Sequence, residues 1–150
     1  MTAMLQSKPY AFQCGAGQKL QLREAQILVK ASSEQTGGAF NLFAVACPPG
    51  YTTALHIHYA EDVAIYVLEG ALTFFWGDEE KAAMAGSYFF QPRGTPHGFR
   101  VAGARPAQIL YLTCPGGLDR FLIEQESLSS NLKSATAARY QIEILGALPE

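Results

Sequence analysis

Two histidines separated by a single residue constrain this sequence more than any other feature. His56 and His58 lie in the segment LHIH, between Gly50 and Gly70. In a β-strand, residues i and i+2 project from the same face, so both imidazoles would point to one side of a sheet. His97 is the third and last histidine of the chain, and it follows a turn rich in glycine and proline, QPRGTP. We therefore predict that the three histidines form one metal site.

The composition favours a β-rich globular protein. The chain of 150 residues is 49% hydrophobic and 16% charged, and it contains 14 glycines and 8 prolines. Low charge together with many turn-forming residues is typical of β-rich domains. The length is typical of one domain with its own core, so we predict a single domain over residues 1–150.

Charge and cysteine content bear on partners and compartment. The net charge of −2 gives no reason to expect binding to nucleic acid or to an anionic membrane. The longest apolar run has the length of a strand, far short of the ~20 residues that a membrane-spanning helix needs. The N-terminus shows no secretory signal. Cys14, Cys47 and Cys114 are an odd number at wide spacing, which does not indicate a disulfide framework. We expect a cytoplasmic protein.

The hydrophobic pattern predicts many short strands separated by turn residues. The strand-like runs are residues 26–32, 39–47, 55–58, 63–68, 71–76, 86–91, 96–101 and 107–114. Even spacing of short strands predicts an all-β, antiparallel barrel or sandwich. We assign residues 26–115 to the barrel core. Residues 1–25 form an N-terminal arm, with a short edge strand near 10–12, and the polar segment 77–81 is a turn.

After Pro115 the pattern changes to helical spacing. Residues 118–126 predict an amphipathic helix, 128–138 a second helix and 140–145 a last strand, which together make a tail over 116–150. The first helix either caps one end of the barrel or presents Phe121 and Leu122 to a partner subunit.

Two motifs around the histidines resemble those of the cupin family, small antiparallel β-barrels of jelly-roll type. In the first motif Gly50 is followed after five residues by His56-x-His58, and Gly70 closes it. In the second, Gly86 is followed after five residues by Pro92-x-Gly94 and then by His97. The segments IYVLEG and QPRGTPHGF are especially similar to the corresponding segments of single-domain cupins related to quercetin dioxygenase. The resemblance implies a jelly-roll fold, a metal held by three histidines and a glutamate, and a homodimer.

The chain departs from the family pattern at two positions. Val63 stands where the family has its metal-binding glutamate, and Val101 stands where asparagine is usual. In dioxygenases of this type the glutamate can also act as the base that deprotonates the substrate. Valine can neither bind a metal nor accept a proton. Glu61 is the nearest candidate for a substitute carboxylate or general base. Alternatively, Glu61 and Asp62 are solvated residues at the rim of a loop.

The metal itself is not selected by these ligands. Imidazole suits Zn, Cu, Fe and Ni alike, so we predict a divalent transition metal and do not distinguish between Fe, Ni, Zn, Mn, Co and Cu. Three histidines suffice in known zinc sites. The alternative is that the histidines are inherited barrel residues and that metal is bound weakly or not at all.

Strand parity predicts an apolar pocket beside the histidines. Val63, Ile65 and Val67 should face the barrel interior, and Phe99 and Val101 should share the inward side with His97. Such residues form pockets for small organic ligands, although they could equally be close-packed core. The resemblance suggests dioxygenase-like chemistry on an enolate or phenolate. The alternatives are a non-catalytic binding or sensing module and an isomerase or cyclase.

Overall fold

The computed structural model describes residues 7–128 and 134–150, which form two antiparallel β-sheets and two short helices. The strands of these residues are β1 (Gln18–Leu22), β2 (Ala25–Ala31), β3 (Asn41–Cys47), β4 (Leu55–His58), β5 (Asp62–Glu69), β6 (Ala71–Trp76), β7 (Glu79–Met84), β8 (Tyr88–Gln91), β9 (His97–Val101), β10 (Ala107–Cys114) and β11 (Ile142–Gly146). The helices are α1 (Leu118–Leu128) and α2 (Ser134–Arg139). The predicted all-β antiparallel class with a C-terminal helical segment is confirmed.

The two sheets enclose the core between their inner faces. One sheet has the order β1-β2-β3-β10-β5-β8 and the other β11-β4-β9-β6-β7, counted over the described residues. Alternation along β5 shows which face is inward, since Val63, Ile65 and Val67 are buried whereas Tyr66 and Leu68 are exposed. Directly opposed residues of antiparallel strands share a face, so this parity extends to the residues of β8 and β10 that pair with β5 at Val63 and Ile65.

Two strands differ from the sequence prediction. β1 lies inside the segment 1–25 and pairs with β2, whereas residues 10–12 are not in a strand. β7 pairs with β6 and includes most of the segment 77–81 that was predicted to be a turn. Both are edge strands with many polar residues, such as Glu79, Glu80 and Lys81. Charged residues on an edge prevent pairing with other chains, and they also hide the strand from a hydrophobicity pattern.

The hairpin between β5 and β6 depends on Gly70. Its φ is +81°, in the region that side-chain-bearing residues rarely adopt. A Cβ at this position would lie 2.5 Å from the carbonyl oxygen of Pro106 and 2.8 Å from Cα of Ala107. Glycine therefore lets the β5–β6 turn pack directly against the start of β10.

A buried polar network anchors the start of helix α1. Asp119 accepts hydrogen bonds from Ser33 Oγ at 2.5 Å and from the Ser33 backbone N–H at 2.9 Å. Asn41 Oδ1 accepts from the backbone N–H groups of Gly117 and Asp119. The helix is thereby fixed with Phe121 and Leu122 buried against the β-sheet. These two side chains cap the core, as the first alternative predicted, and are not available to a partner subunit.

The C-terminal strand closes the second sheet. β11 pairs with β4, close to the predicted strand 140–145. The second helix predicted for 128–138 is seen as α2, and part of that prediction lies outside the described residues. Within residues 7–128 and 134–150, neither helix has the length and apolar character needed to cross a membrane.

Candidate metal centre

The structure brings all three histidines to one point between the sheets. His56 and His58 belong to β4, and His97 begins β9 directly opposite His56. One ring nitrogen from each histidine can be chosen so that all three lie within 4.8 Å of one another. His58 and His97 are buried, whereas His56 is partly accessible. The three residues could hold a metal ion.

Hydrogen bonds orient the three imidazoles toward a common centre. Nδ1 of His56 lies 2.7 Å from the carbonyl oxygen of Ala54, and Nδ1 of His97 lies 2.9 Å from that of Thr95. Nδ1 of His58 lies 2.7 Å from Oε1 of Glu61. Carbonyl oxygens and carboxylates can only accept, so each Nδ1 carries the hydrogen and each Nε2 keeps a lone pair.

That arrangement fits a divalent metal. Metal-binding histidines usually donate their other ring N–H to a carboxylate or a backbone carbonyl, which fixes the tautomer and the ring orientation. Nε2 of His97 is also buried with no hydrogen-bond partner among the described residues. A buried nitrogen without a partner is costly, and a metal ion would satisfy it.

The environment keeps His56 and His97 neutral. Burial lowers the pKa of His56 well below its usual value, and the neighbouring His97 and His58 lower it further. Burial likewise lowers the pKa of His97 to about 4. Neutral imidazole is the form that binds metals, so protons do not compete strongly for these two residues at neutral pH.

Glu61 lies behind the histidines and not at the rim of a loop. Its side chain is buried, with 4% of the residue exposed, and its partner is His58 Nδ1. The alternative in which Glu61 is solvated is therefore wrong. The same alternative is right for Asp62, which is partly exposed and accepts hydrogen bonds from the backbone and side chain of Arg93. Adjacent carboxylates thus have different roles.

Val63 is inward and buried, between two polar residues of the neighbouring strands. It is opposite Gln91 on β8 and Thr113 on β10, and all three are almost completely buried. The side-chain polar atoms of Gln91 and Thr113 have no hydrogen-bond partner among the described residues. The position at which the family has a carboxylate is therefore apolar, but its two neighbours on the inner face are polar.

A cavity of about 360 Å³ lies beside the histidines. Its size is within the range of small-molecule sites, about 300–1,000 Å³. Ile65 and Phe99 line it, whereas Val63, Val67 and Val101 are packed in the barrel core. Further apolar walls come from β1, β2, β3, β10, α1 and β11: Leu22, Ala25, Ile27, Phe43, Val45, Ile109, Leu118, Phe121, Leu122, Ile142 and Ile144.

The polar groups of the cavity were not found from the sequence. Besides the histidines, they include Tyr111, Tyr51 and Arg23. The hydroxyl of Tyr111 lies 3.3 Å from Nε2 of His58. The guanidinium of Arg23 lies over the ring of Tyr51 at 5.1 Å. Strand parity along β10 would have placed Tyr111 inward with Ile109 and Thr113, whereas no local signal connects Arg23 with the histidines.

Comparison with known proteins gives the family. The model of the cupin domain matches residues 43–113. Over 103 residues the chain is 28% identical to quercetin 2,3-dioxygenase of Bacillus subtilis (strain 168). The aligned region covers 69% of this chain and 31% of that protein. The chain thus spans only about a third of the length of this curated relative.

Solved structures share the fold. TT1209 from Thermus thermophilus is 34% identical with a TM-score of 0.50, covering 53% of this chain and 76% of that one. KdgF from Halomonas sp. is 19% identical with a TM-score of 0.67, covering 75% of this chain and 99% of that one. With its two motifs, its two antiparallel sheets and three converging histidines, the chain belongs to the cupin superfamily and has its jelly-roll fold.

Proposed function

We propose that this protein is a metal-dependent cupin that binds a divalent transition metal through Nε2 of His56, His58 and His97. A small and mainly apolar organic ligand would occupy the adjacent cavity. The observation that carries the proposal is the shared orientation of the three imidazoles, each with its Nδ1–H donated to an acceptor. Such an arrangement leaves three lone pairs for one ion.

The reaction class that we propose is dioxygenase-like chemistry on an enolate or phenolate. The similarity to quercetin 2,3-dioxygenase supports this choice. A bound metal would supply Lewis-acid chemistry to an oxygen of the ligand. The chain's own contribution is an apolar enclosure that excludes water and three neutral ligands that leave the positive charge of an ion unbalanced. An anionic ligand is therefore favoured over a neutral one.

Metal content tests the site directly. We expect the protein purified without chelator to retain about one equivalent of a transition metal. We expect the same of protein reconstituted separately with Fe, Ni, Zn, Mn, Co and Cu. His97→Ala and His56→Ala should lose it, whereas Asp62→Asn, a change at the surface next to the site, should not. No metal above background in any reconstituted sample would refute the proposal.

A non-catalytic binding or sensing module is the second candidate. It is favoured by the absence of any aspartate or glutamate among the described residues that line the cavity. Oxygen uptake with a flavonol or another enolisable substrate separates the two functions. Turnover with any reconstituted metal supports the enzyme, whereas tight ligand binding without turnover supports the binding module.

We also propose that the protein is a cytoplasmic single-domain homodimer. The outer face of β5 and β8 supports the dimer, because Tyr66, Tyr88 and Phe90 are exposed there side by side. Neighbouring exposed aromatic side chains of this kind are typical of interaction surfaces. Light scattering should give the mass of a dimer for the wild type and of a monomer for the variant Tyr88→Glu/Phe90→Glu. A monomeric wild type would refute the proposal.

A further inference from the structure

Tyr111 points into the cavity at the position of the metal site. Its backbone lies in the middle of β10, opposite Phe43 on β3 and Ile65 on β5. Its ring packs against Phe43 with centroids 6.3 Å apart. Its hydroxyl oxygen lies 3.3 Å from Nε2 of His58. Tyr111 therefore places a polar hydrogen beside the one nitrogen of His58 that a metal would use.

The hydrogen bond at Nδ1 of His58 decides which partner donates in the contact between Tyr111 and Nε2. Nδ1 of His58 donates to Glu61, so in the neutral imidazole, which is the form that binds a metal, Nε2 has no hydrogen and can only accept. The hydroxyl of Tyr111 must then be the donor. A metal ion bound at Nε2 takes the lone pair that accepts this hydrogen bond. The hydroxyl would remain next to the ion with its hydrogen free for another acceptor.

Nothing beside the hydroxyl suggests that it acts as a base. Val63 cannot accept a proton, and none of the described residues lining the cavity is an aspartate or glutamate. The acceptor that fits this site is an oxygen that brings its own negative charge.

We propose that Tyr111 donates a hydrogen bond to an anionic oxygen of the organic ligand and thereby selects ligands that bind as phenolates or enolates. This inference rests on the proposed function, since the ligand oxygen must share the site with the metal. Val63 leaves the family's carboxylate position without an acceptor, and Tyr111, opposite the neighbouring inward residue Ile65, offers a hydrogen-bond donor instead. The site would hold an existing anion and would not remove a proton from a neutral ligand.

Two small probes and two tyrosine variants test this role. The probes are 4-nitrophenol, whose phenolate has a characteristic absorption, and 4-nitroanisole, its methyl ether, which cannot ionise. The proteins are the zinc-loaded wild type, Tyr111→Phe and Tyr10→Phe, in which the hydroxyl removed belongs to an exposed side chain that does not line the cavity. Equilibrium dialysis gives zinc and probe affinities, and the absorption spectrum gives the ionisation state of the bound probe.

We expect the wild type to bind 4-nitrophenol as the phenolate, and Tyr111→Phe to bind it about tenfold more weakly, which is the loss typical of a hydrogen bond to a charged group. Tyr10→Phe should match the wild type. Zinc affinity and 4-nitroanisole affinity should be the same in Tyr111→Phe and the wild type.

Other results overturn the inference in distinguishable ways. Unchanged phenolate affinity in Tyr111→Phe, or no phenolate binding by the zinc-loaded wild type, overturns the role of Tyr111 and leaves the proposed metal site intact. A large loss of zinc affinity in Tyr111→Phe shows that Tyr111 acts on the metal and not on the ligand. A wild type that binds no zinc refutes the proposed function and this inference with it.

Discussion

Replacing Glu61 with glutamine should weaken metal binding although Glu61 is not a predicted metal ligand. In the structure Oε1 of Glu61 accepts the Nδ1–H of His58 at 2.7 Å, and both side chains are buried. Glutamine has the same shape and can still accept this hydrogen through its amide oxygen. The variant therefore removes the negative charge and leaves the geometry of His58 in place.

The size of the effect follows from the change of the hydrogen-bond acceptor from a charged carboxylate to a neutral amide. A hydrogen bond to a charged group contributes about 1.5–3 kcal/mol and a neutral one about 0.5–1.5 kcal/mol. Because this hydrogen bond is also present without the metal, the difference of about 1–1.5 kcal/mol is the upper limit of the lost metal affinity, roughly tenfold. This agrees with the 10–100-fold losses that are typical when the partner of a metal-binding histidine is changed, with ~10-fold expected for this conservative variant.

Zinc competition against a chromophoric chelator at constant pH measures the affinity. Asp62→Asn is the matched control, because it removes a neighbouring carboxylate whose partner is Arg93 at the surface. Wild-type zinc affinity in Glu61→Gln, or an equal loss in both variants, would show that the charge of Glu61 does not act through His58.

Further predictions concern Val63, Gly70 and the cysteines. Val63→Glu should bind manganese at least about tenfold more tightly than the wild type, because a carboxylate is a ligand that suits this ion and valine supplies no ligand atom; unchanged affinity would mean that residue 63 is too far from the ion. Gly70→Ala should lower the free energy of unfolding by more than about 2 kcal/mol, measured by urea titration, because a Cβ would clash with the backbone of Pro106. Gly77→Ala, where φ is also positive but no atom lies within 4 Å of the added Cβ, should cost only about 1 kcal/mol, and equal losses would contradict the packing explanation. At pH 8 a thiol reagent should modify exposed Cys14 and Cys114 but not Cys47, since Cys47 is 1% exposed and burial raises its pKa to about 12; rapid reaction of three thiols in the folded protein would show that Cys47 is accessible.

Local sequence patterns predicted most of the barrel. The runs at 55–58, 71–76 and 107–114 coincide with strands β4, β6 and β10, because inward positions are apolar and turn residues limit each run. The edge strands β1 and β7 were missed, since an edge strand needs no apolar face on both sides and is protected by charge. A pattern based on hydrophobicity cannot detect such a strand.

The histidines were identified from the sequence, whereas their surroundings required the fold. The spacing of His56 and His58 within one strand fixes their common face, and the second motif supplies His97. The burial of Glu61 depends on the turn that folds it back onto His58, three residues earlier. Tyr111 and the walls from α1 and β11 reach the cavity through contacts between distant segments. Such contacts depend on strand order and register, which a single sequence does not specify.

The pairing of β4 links metal binding to the docking of the C-terminal strand. In the sheet, β4 is opposite β9 at one residue pair only, His56 and His97, and its longer ladder is with β11. An ion bound by residues of β4 and β9 would connect these two strands at their single paired position. If metal binding and the pairing of β11 with β4 are coupled, each must favour the other by the same free energy. A stable β4–β11 pairing would raise the metal affinity, and bound metal would raise the free energy of local opening of β4 and β11. Occupancy of the site should therefore be visible in the amide hydrogen exchange of residues 142–146, far along the chain from the first histidine.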